Sequence, residues 1–588
     1  MKKQAKTTSV QPQAADPSVQ ASSPAVSLTS ASRRRFLGRT GSLTAAALAA
    51  GATGLPLLSG SVAEAAEVGP LNEQERRARA FQVRMTCAQS QQNQPLPAHP
   101  TNGDEELYAN KFASFSKALP HNNLGEPDLN AYAALLRAMS TGNPADFEAV
   151  TLGGSAKLVD PQSAFAFELE GADSHSLALP APPTFSSEEQ AGEMAELYWR
   201  ALTRDIAFSQ YGNEILTSTA VTDLARFTKY SGISAGTLFR GGLPGEATGP
   251  FISQFLWKPF TFSSTPISQI YRTPTAGDDH MTSYDTWLNI QNGKPPASGN
   301  TFDPTPRYIR NGRDLGEYVH RDFSYQAFLN AALILLSFGP EAIDDANPYK
   351  SSAKQASFAT FGGPHVVTVV AQVANAALKA AWYQKWSVHR RIRPEEFAGR
   401  VHNLRTNAAN YPVHSSLLNS AAVSAVQGKF GTALLPMAYP EGCPVHPSYP
   451  GGHATIAGAC VTVLKAFFKE TFIIPNPVVA ADDGLSLQAY NGATLTVGGE
   501  LNKLASNMAY GRDTAGMHWR TDEAAGLQLG EAVAIAILSD QNLTFNESFT
   551  GFSLTKFDGT TIRISERPGR SIGSTRLRSP FISRRLAP

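Results

Sequence analysis

Residues 366–386 constrain this chain more than any other stretch. They are apolar with helical period, and Val369, Val373, Ala376, Ala377 and Ala380 share one face. So small-sided a face is buried well only against another helix that comes very close, so the core should be helix on helix. Other segments agree. Ser186-Ser187-Glu188-Glu189 has the form of a capping box, and Met194, Leu197, Trp199, Leu202, Ile206 and Phe208 follow it as a broad buried face. Residues 323–338 form an apolar helix stopped by Gly339-Pro340. Further helices are predicted over 453–469, 501–511 and 523–538. Residues 89–106, 241–250 and 273–306 read as linkers, loops or lids, rich in polar residues, Gly or Pro. Strand signals are sparse, with small hairpins expected at 493–497 and 553–564. The fold class is therefore mostly α, a helical bundle with a few small β-hairpins.

The first 65 residues are different in kind. Ser32-Arg33-Arg34-Arg35-Phe36-Leu37 fits a twin-arginine export signal. A charge-free stretch follows, and Ala63-Glu64-Ala65 offers small residues for cleavage. Four glycines and a proline make that stretch a poor permanent span. Without the seven Lys/Arg and two Asp/Glu of this leader, the totals of 50 and 49 fall to 43 and 47, a net charge of −4. A near-neutral or mildly acidic body gives no general attraction to nucleic acid. Nothing else reads as a transmembrane span, so no stable membrane insertion is expected, and the product should be periplasmic or extracellular. Three cysteines, Cys87, Cys443 and Cys460, make no disulfide framework. The basic arm at 561–588, with seven arginines against Glu566, reads as a solvated or subunit-clasping tail.

Three separated segments carry the chemistry. They are Lys385-Trp386-Ser387-Val388-His389-Arg390-Arg391-Ile392-Arg393-Pro394, His446-Pro447-Ser448-Tyr449-Pro450-Gly451-Gly452-His453, and Arg512-Asp513-Thr514-Ala515-Gly516-Met517-His518-Trp519-Arg520-Thr521-Asp522. Together they supply fixed cations, glycines at a helix start and titratable histidines. Guanidinium forks, a lysine point charge and free helix N–H groups suit a tetrahedral oxyanion. Zinc is disfavoured, because the histidines lie among Lys and Arg without a carboxylate or thiolate cluster.

These segments resemble the signature of the vanadium-dependent haloperoxidases, in a superfamily shared with type-2 phosphatidic acid phosphatases and bacterial acid phosphatases. The eight-residue step from Lys385 to Arg393, and His446 seven residues before His453, resemble the bromoperoxidase branch. Weaker resemblance extends to residues 249–255, 322–330 and 361–365. The resemblance implies a helical haloperoxidase-like domain over 66–588, with its vanadate-binding half at about 360–545. It implies that hydrogen peroxide oxidises halide, bromide first and iodide as well, to hypohalous acid that halogenates small organic acceptors. Vanadate is the implied cofactor. Calcium in the loop of Asp344, Asp345 and Asn347, and a homo-oligomer, are further implications.

By the same resemblance, Lys385, Arg393 and Arg512 neutralise vanadate oxygens, and the Gly452 N–H donates to one. His518 is the metal ligand, His453 the acid–base group, and His446 a neighbour that tunes halide reactivity. Gln384, Trp386, His389 and Asp522 stand behind them, Asp522 balancing a cation and Gln384 bearing on halide selectivity. One departure stands out: Gly451 occupies the place of the family's serine, so a hydroxyl donor is missing. Alternatives on the same residues are a phosphate-ester phosphatase, with a phosphohistidine at His518, or an inactive oxyanion-binding protein.

Overall fold

The structure is a computed structural model, described here for residues 72–565. The export signal and most of the basic arm lie outside the described residues.

Eight helices position the site: α1 (Glu188–Leu202), α2 (Gly312–Arg321), α3 (Gln326–Ser337), α4 (Gly363–Trp382), α5 (Pro394–Arg405), α6 (Gly452–Phe467), α7 (Val497–Thr514) and α8 (Arg520–Asn542). Helix α6 is buried on every side and packs against α4, α7 and α8. The small face of α4 does what its sequence predicts: Val369, Val373, Ala376, Ala377 and Ala380 are all buried. The approach of α6 to α8 is closer still. A Cβ built on Gly530 would lie 1.9 Å from the Thr455 carbonyl oxygen, and one on Gly458 2.1 Å from that of Leu527. Only glycine fits where two helix backbones touch like this.

The Ser187 hydroxyl caps α1 by accepting from the Gln190 N–H, as the capping pattern foretells. Helix α3 begins three residues later than expected. Phe323, expected inside it, is 53% exposed in the preceding turn. The expected hairpin at 553–564 is present, with Phe552–Thr555 paired antiparallel to Thr561–Ile564. The one at 493–497 is not. Thr496 instead caps α7, accepting from the Gly499 N–H, so Val497 opens a helix longer than predicted. The other two hairpins pair Phe260–Phe262 with Thr265–Ile267 and Val478–Ala480 with Leu487–Ala489.

Two further expectations need correction. An exposed helix, Glu73–Gln92, runs into the polar stretch at 89–106. And Gly363–His389 is, by length and composition, long and apolar enough to cross a membrane, although half of its apolar window is buried inside the protein.

Candidate functional site

Lys385 is placed by an irregularity. Helix α4 widens into a π-helical turn, Tyr383–His389, which ends where Arg390 takes a left-handed conformation. An inserted residue of this kind re-aims side chains and is frequent at functional sites. It buries Lys385 completely, with Nζ donating to the carbonyls of Pro447 (2.8 Å) and Ser448 (2.7 Å). Arg393 precedes Pro394 at the start of α5 and joins all three segments. Its Nε donates to the His446 carbonyl (2.9 Å), and one terminal nitrogen donates to the Met517 carbonyl (2.7 Å) and His518 Nε2 (3.1 Å). The other donates to His446 Nδ1 (2.9 Å). Arg512 ends α7, with one nitrogen on the Val319 carbonyl and its buried Nε without a protein partner.

The proline-rich loop delivers the chain to α6 through Gly451 and Gly452. The N–H groups of the first turn have no acceptor within the helix and carry the positive end of its dipole. His453, in that turn, is partly exposed, and its Nε2 lies 3.0 Å from Asp322 Oδ1.

His518 follows Gly516, whose φ of +89° turns the chain between α7 and α8. Its Nδ1 donates to Asp522 Oδ2 at 2.9 Å, and its Nε2 accepts from Arg393. The two partners fix the tautomer and leave the lone pair on Nε2. Burial, Arg393, Lys385 and Arg512 hold the His518 pKa well below the usual imidazole range, so the ring is neutral, as a metal ligand must be. Burial, Arg393 and Lys385 do the same to His446. Burial and the neighbouring Arg393 also push the Lys385 ammonium well below its ordinary pKa.

Asp522 is a hub. Beyond His518, it accepts from the Trp519 N–H (3.1 Å), the Ser448 hydroxyl (2.5 Å) and Arg391 (2.7 Å). Arg391 continues to Gln190 and Glu193 on α1. Asp522 is thus already balanced, leaving Lys385, Arg393 and Arg512 without a carboxylate ion pair. Three buried cations, a neutral histidine and an open helix N-terminus fit vanadate or phosphate. They do not fit a metal dication, and no cluster of metal-ligating side chains occurs among the described residues.

The remaining predicted residues lie behind or beside this centre. Gln384 donates to the Leu177 carbonyl at 2.5 Å. Trp386 packs edge-on against Phe115 in a separate apolar cluster. His389 is buried edge-on to Tyr449, with neither ring nitrogen hydrogen-bonded to the protein. At Gly451 the structure adds something the sequence did not suggest: a Cβ there would lie 2.1 Å from Glu523 Oε2. A serine side chain cannot simply be restored, because a carboxyl group holds its space. The calcium reading fares poorly. Asp345 is bound by Lys350 and Lys469, Asp344 accepts from the Ala346 N–H, and Asn347 accepts from the Tyr349 N–H. Sequence reasoning left Asp322, Arg391, Ser448 and Glu523 without roles. The first lies in a segment of weaker resemblance, and the others lie within or beside the motifs. A separate cleft of about 500 Å³, lined by Phe208, Arg240, Phe251, Arg310 and Asp482, contains none of the predicted residues.

Comparison with known proteins identifies the family. A family model described as the VCPO second helical-bundle domain matches residues 365–547. A vanadium-dependent bromoperoxidase of Ascophyllum nodosum is 38% identical over 528 residues, covering 84% of this chain and 93% of that protein. One from Corallina pilulifera is 35% identical over 600 residues, covering 84% and 99%. The homohexameric structure of the second vanadate-dependent bromoperoxidase of Ascophyllum nodosum superposes with a TM-score of 0.79 at 33% identity, covering 87% of this chain and 94% of that one. With likeness over nearly the full length of these relatives, the chain belongs to the vanadium-dependent bromoperoxidase family of haloperoxidases.

Proposed function

We propose that this vanadium-dependent haloperoxidase uses hydrogen peroxide to oxidise bromide, and iodide as well, at the centre formed by Lys385, Arg393, Gly452, His453, Arg512 and His518. The observation that carries the site assignment is the neutral His518, with Nε2 directed at Arg393 and Nδ1 held by Asp522, among three buried cations without carboxylate partners. Bound vanadate supplies an electrophilic centre that activates peroxide for oxygen transfer to halide without a change of metal oxidation state. His518 Nε2 would hold the metal. Lys385, Arg393 and Arg512 would balance the negative charge of the oxyanion. The Gly452 N–H would donate to it at the helix start. His453, partly exposed and oriented by Asp322, moves protons between solvent and the reacting oxygen. His446, fixed by Arg393, lies beside that guanidinium and shapes halide reactivity.

The leader would export the folded enzyme by the twin-arginine route. Assembly into a homo-oligomer is supported by the homohexameric relative. The test is bromination by peroxide with and without added vanadate, run beside hydrolysis of a phosphate ester. Vanadate-dependent bromination without ester hydrolysis is the expected result. Ester hydrolysis alone would assign the site to a phosphatase.

A further inference from the structure

Glu523 is a buried acid that the roles above leave unused. It is fully buried, one residue beyond Asp522 in the first turn of α8, and neither carboxyl oxygen has a hydrogen-bond partner in the protein. An ionised glutamate beside buried cations would form an ion pair. Glu523 forms none: Lys385 donates to carbonyls of the loop and Arg512 to the Val319 carbonyl. Its Oε2 lies 2.1 Å from where a Gly451 Cβ would be, with the carboxyl carbon at 2.8 Å. The carboxyl therefore fills the space of the serine side chain that the family carries at Gly451.

We propose that Glu523 replaces that serine: its carboxyl, in the protonated form, donates to the vanadate oxygen that the hydroxyl would otherwise hold, and Gly451 is glycine because the carboxyl needs the room. This rests on the assignment of the vanadate site above. A protonated carboxyl can donate where an ionised one would repel the anion. The surroundings favour the proton. Burial, with the neighbouring acids Asp513 and Asp522, raises the Glu523 pKa well above the usual carboxyl range, against the opposing pull of Arg512 and Lys385. Asp513 is itself fully buried, with both oxygens unpartnered, and burial raises its pKa likewise. A compensated pair of this kind, glycine at the N-cap of α6 and acid in the first turn of α8, is local because the two helix starts touch here. The Gly451 N–H donates to the Asp522 carbonyl at 2.9 Å.

The test is calorimetric titration of the vanadate-free full-length enzyme and four variants with orthovanadate, with thermal melts to confirm folding. Glu523→Gln keeps a donor of the same shape and should bind within about threefold of the parent. Glu523→Ala loses the donor and should bind about 10- to 100-fold more weakly, the range expected for one hydrogen bond to a charged group. Gly451→Ser should also weaken binding, because the hydroxymethyl collides with Glu523. The double variant Gly451→Ser/Glu523→Ala should recover most of the loss by restoring hydroxyl and space together. Binding by Glu523→Ala as tight as the parent's, or markedly tighter binding by Glu523→Gln, would overturn the proposal, the second by revealing an ionised, repelling carboxylate. If the parent itself binds no orthovanadate, the underlying site assignment fails instead.

Discussion

Asp522 accepts hydrogen bonds from four groups, and replacing it with Asn tests the account of His518 directly. Every group around its carboxylate is a donor: His518 Nδ1, the Trp519 N–H, the Ser448 hydroxyl and Arg391. An amide has one oxygen and one NH2, so Asp522→Asn must point two hydrogens at a donor. The lesser conflict keeps the oxygen where Oδ2 accepts three bonds and turns the NH2 toward Arg391. Removing one partner of a buried ion pair costs about 3–5 kcal/mol. Arg391 keeps Glu193 at 3.1 Å and Gln190 at 2.7 Å, so the lower end, about 3 kcal/mol, is expected. His518 also loses its anionic partner, and weakening such an outer contact lowers metal affinity about 10- to 100-fold. Urea unfolding and vanadate titration of the same variant read the two effects. Unchanged stability together with unchanged affinity would mean that Asp522 neither anchors Arg391 nor orients His518, and the reasoning would be wrong.

His518→Ala should abolish vanadate binding and turnover together. His453→Ala should retain most vanadate yet lose turnover by about 10²–10⁴. Equal loss of vanadium content in both would refute that division. Burial drives the His389 pKa down to about 3, so below pH 6.5 the unfolded chain binds a proton there that the native chain refuses. The enzyme should therefore lose up to about 1.4 kcal/mol per pH unit relative to His389→Phe between pH 6 and 3. Parallel stability–pH curves for the two proteins would contradict this. Orthovanadate at about 100 times its dissociation constant should stabilise the fold by about 2.7 kcal/mol, since only the folded chain gathers the three cations. An unchanged melting temperature under those conditions would argue against the site. Replacing Arg33 and Arg34 by Lys should leave unprocessed precursor in the cytoplasm, and continued export would dismiss the twin-arginine reading.

Much of this was legible in the sequence, because the determinants are local. The small face of α4, the Ser187 cap and each of the three cationic segments are contained in single stretches. What escaped depends on contacts between stretches. Thr496 and Val497 carry strand-like side chains, yet the threonine hydroxyl caps a helix. Gly451 reads in the chain as a missing hydroxyl, whereas in space it is the room that Glu523 occupies, 72 positions away. Asp322 reaches His453 across 131 positions, a pairing that no spacing rule foresees. His389 and Trp386 lie within the first motif, but the π-helical turn that aims Lys385 inward sends Trp386 into an apolar cluster and His389 against Tyr449.

The sorting of buried cations by partner gives a physical reason why the proposed site, and not another, would take an oxyanion. Arg390 pairs with Glu105, Arg391 with Glu193 and Asp522, and Arg200 and Arg520 share Glu196. Each of those cations has a carboxylate partner. Lys385, Arg393 and Arg512 are held instead by backbone carbonyls, from Pro447, Ser448, His446, Met517 and Val319. A carbonyl dipole fixes a cation in position but leaves its net charge standing. Arg400 and Lys465 are also carbonyl-held, yet each stands apart from the site. Only the first three are brought to His518, Lys385 and Arg393 from one segment and Arg512 from another more than a hundred residues on. Burial holds the Lys385 and Arg393 pKa values below their ordinary range, and an entering anion would relieve that cost. An anion entering there would meet positive charge that no carboxylate answers, and the proposed ligation by His518 Nε2 requires Arg393 to turn its N–H from that nitrogen to the anion.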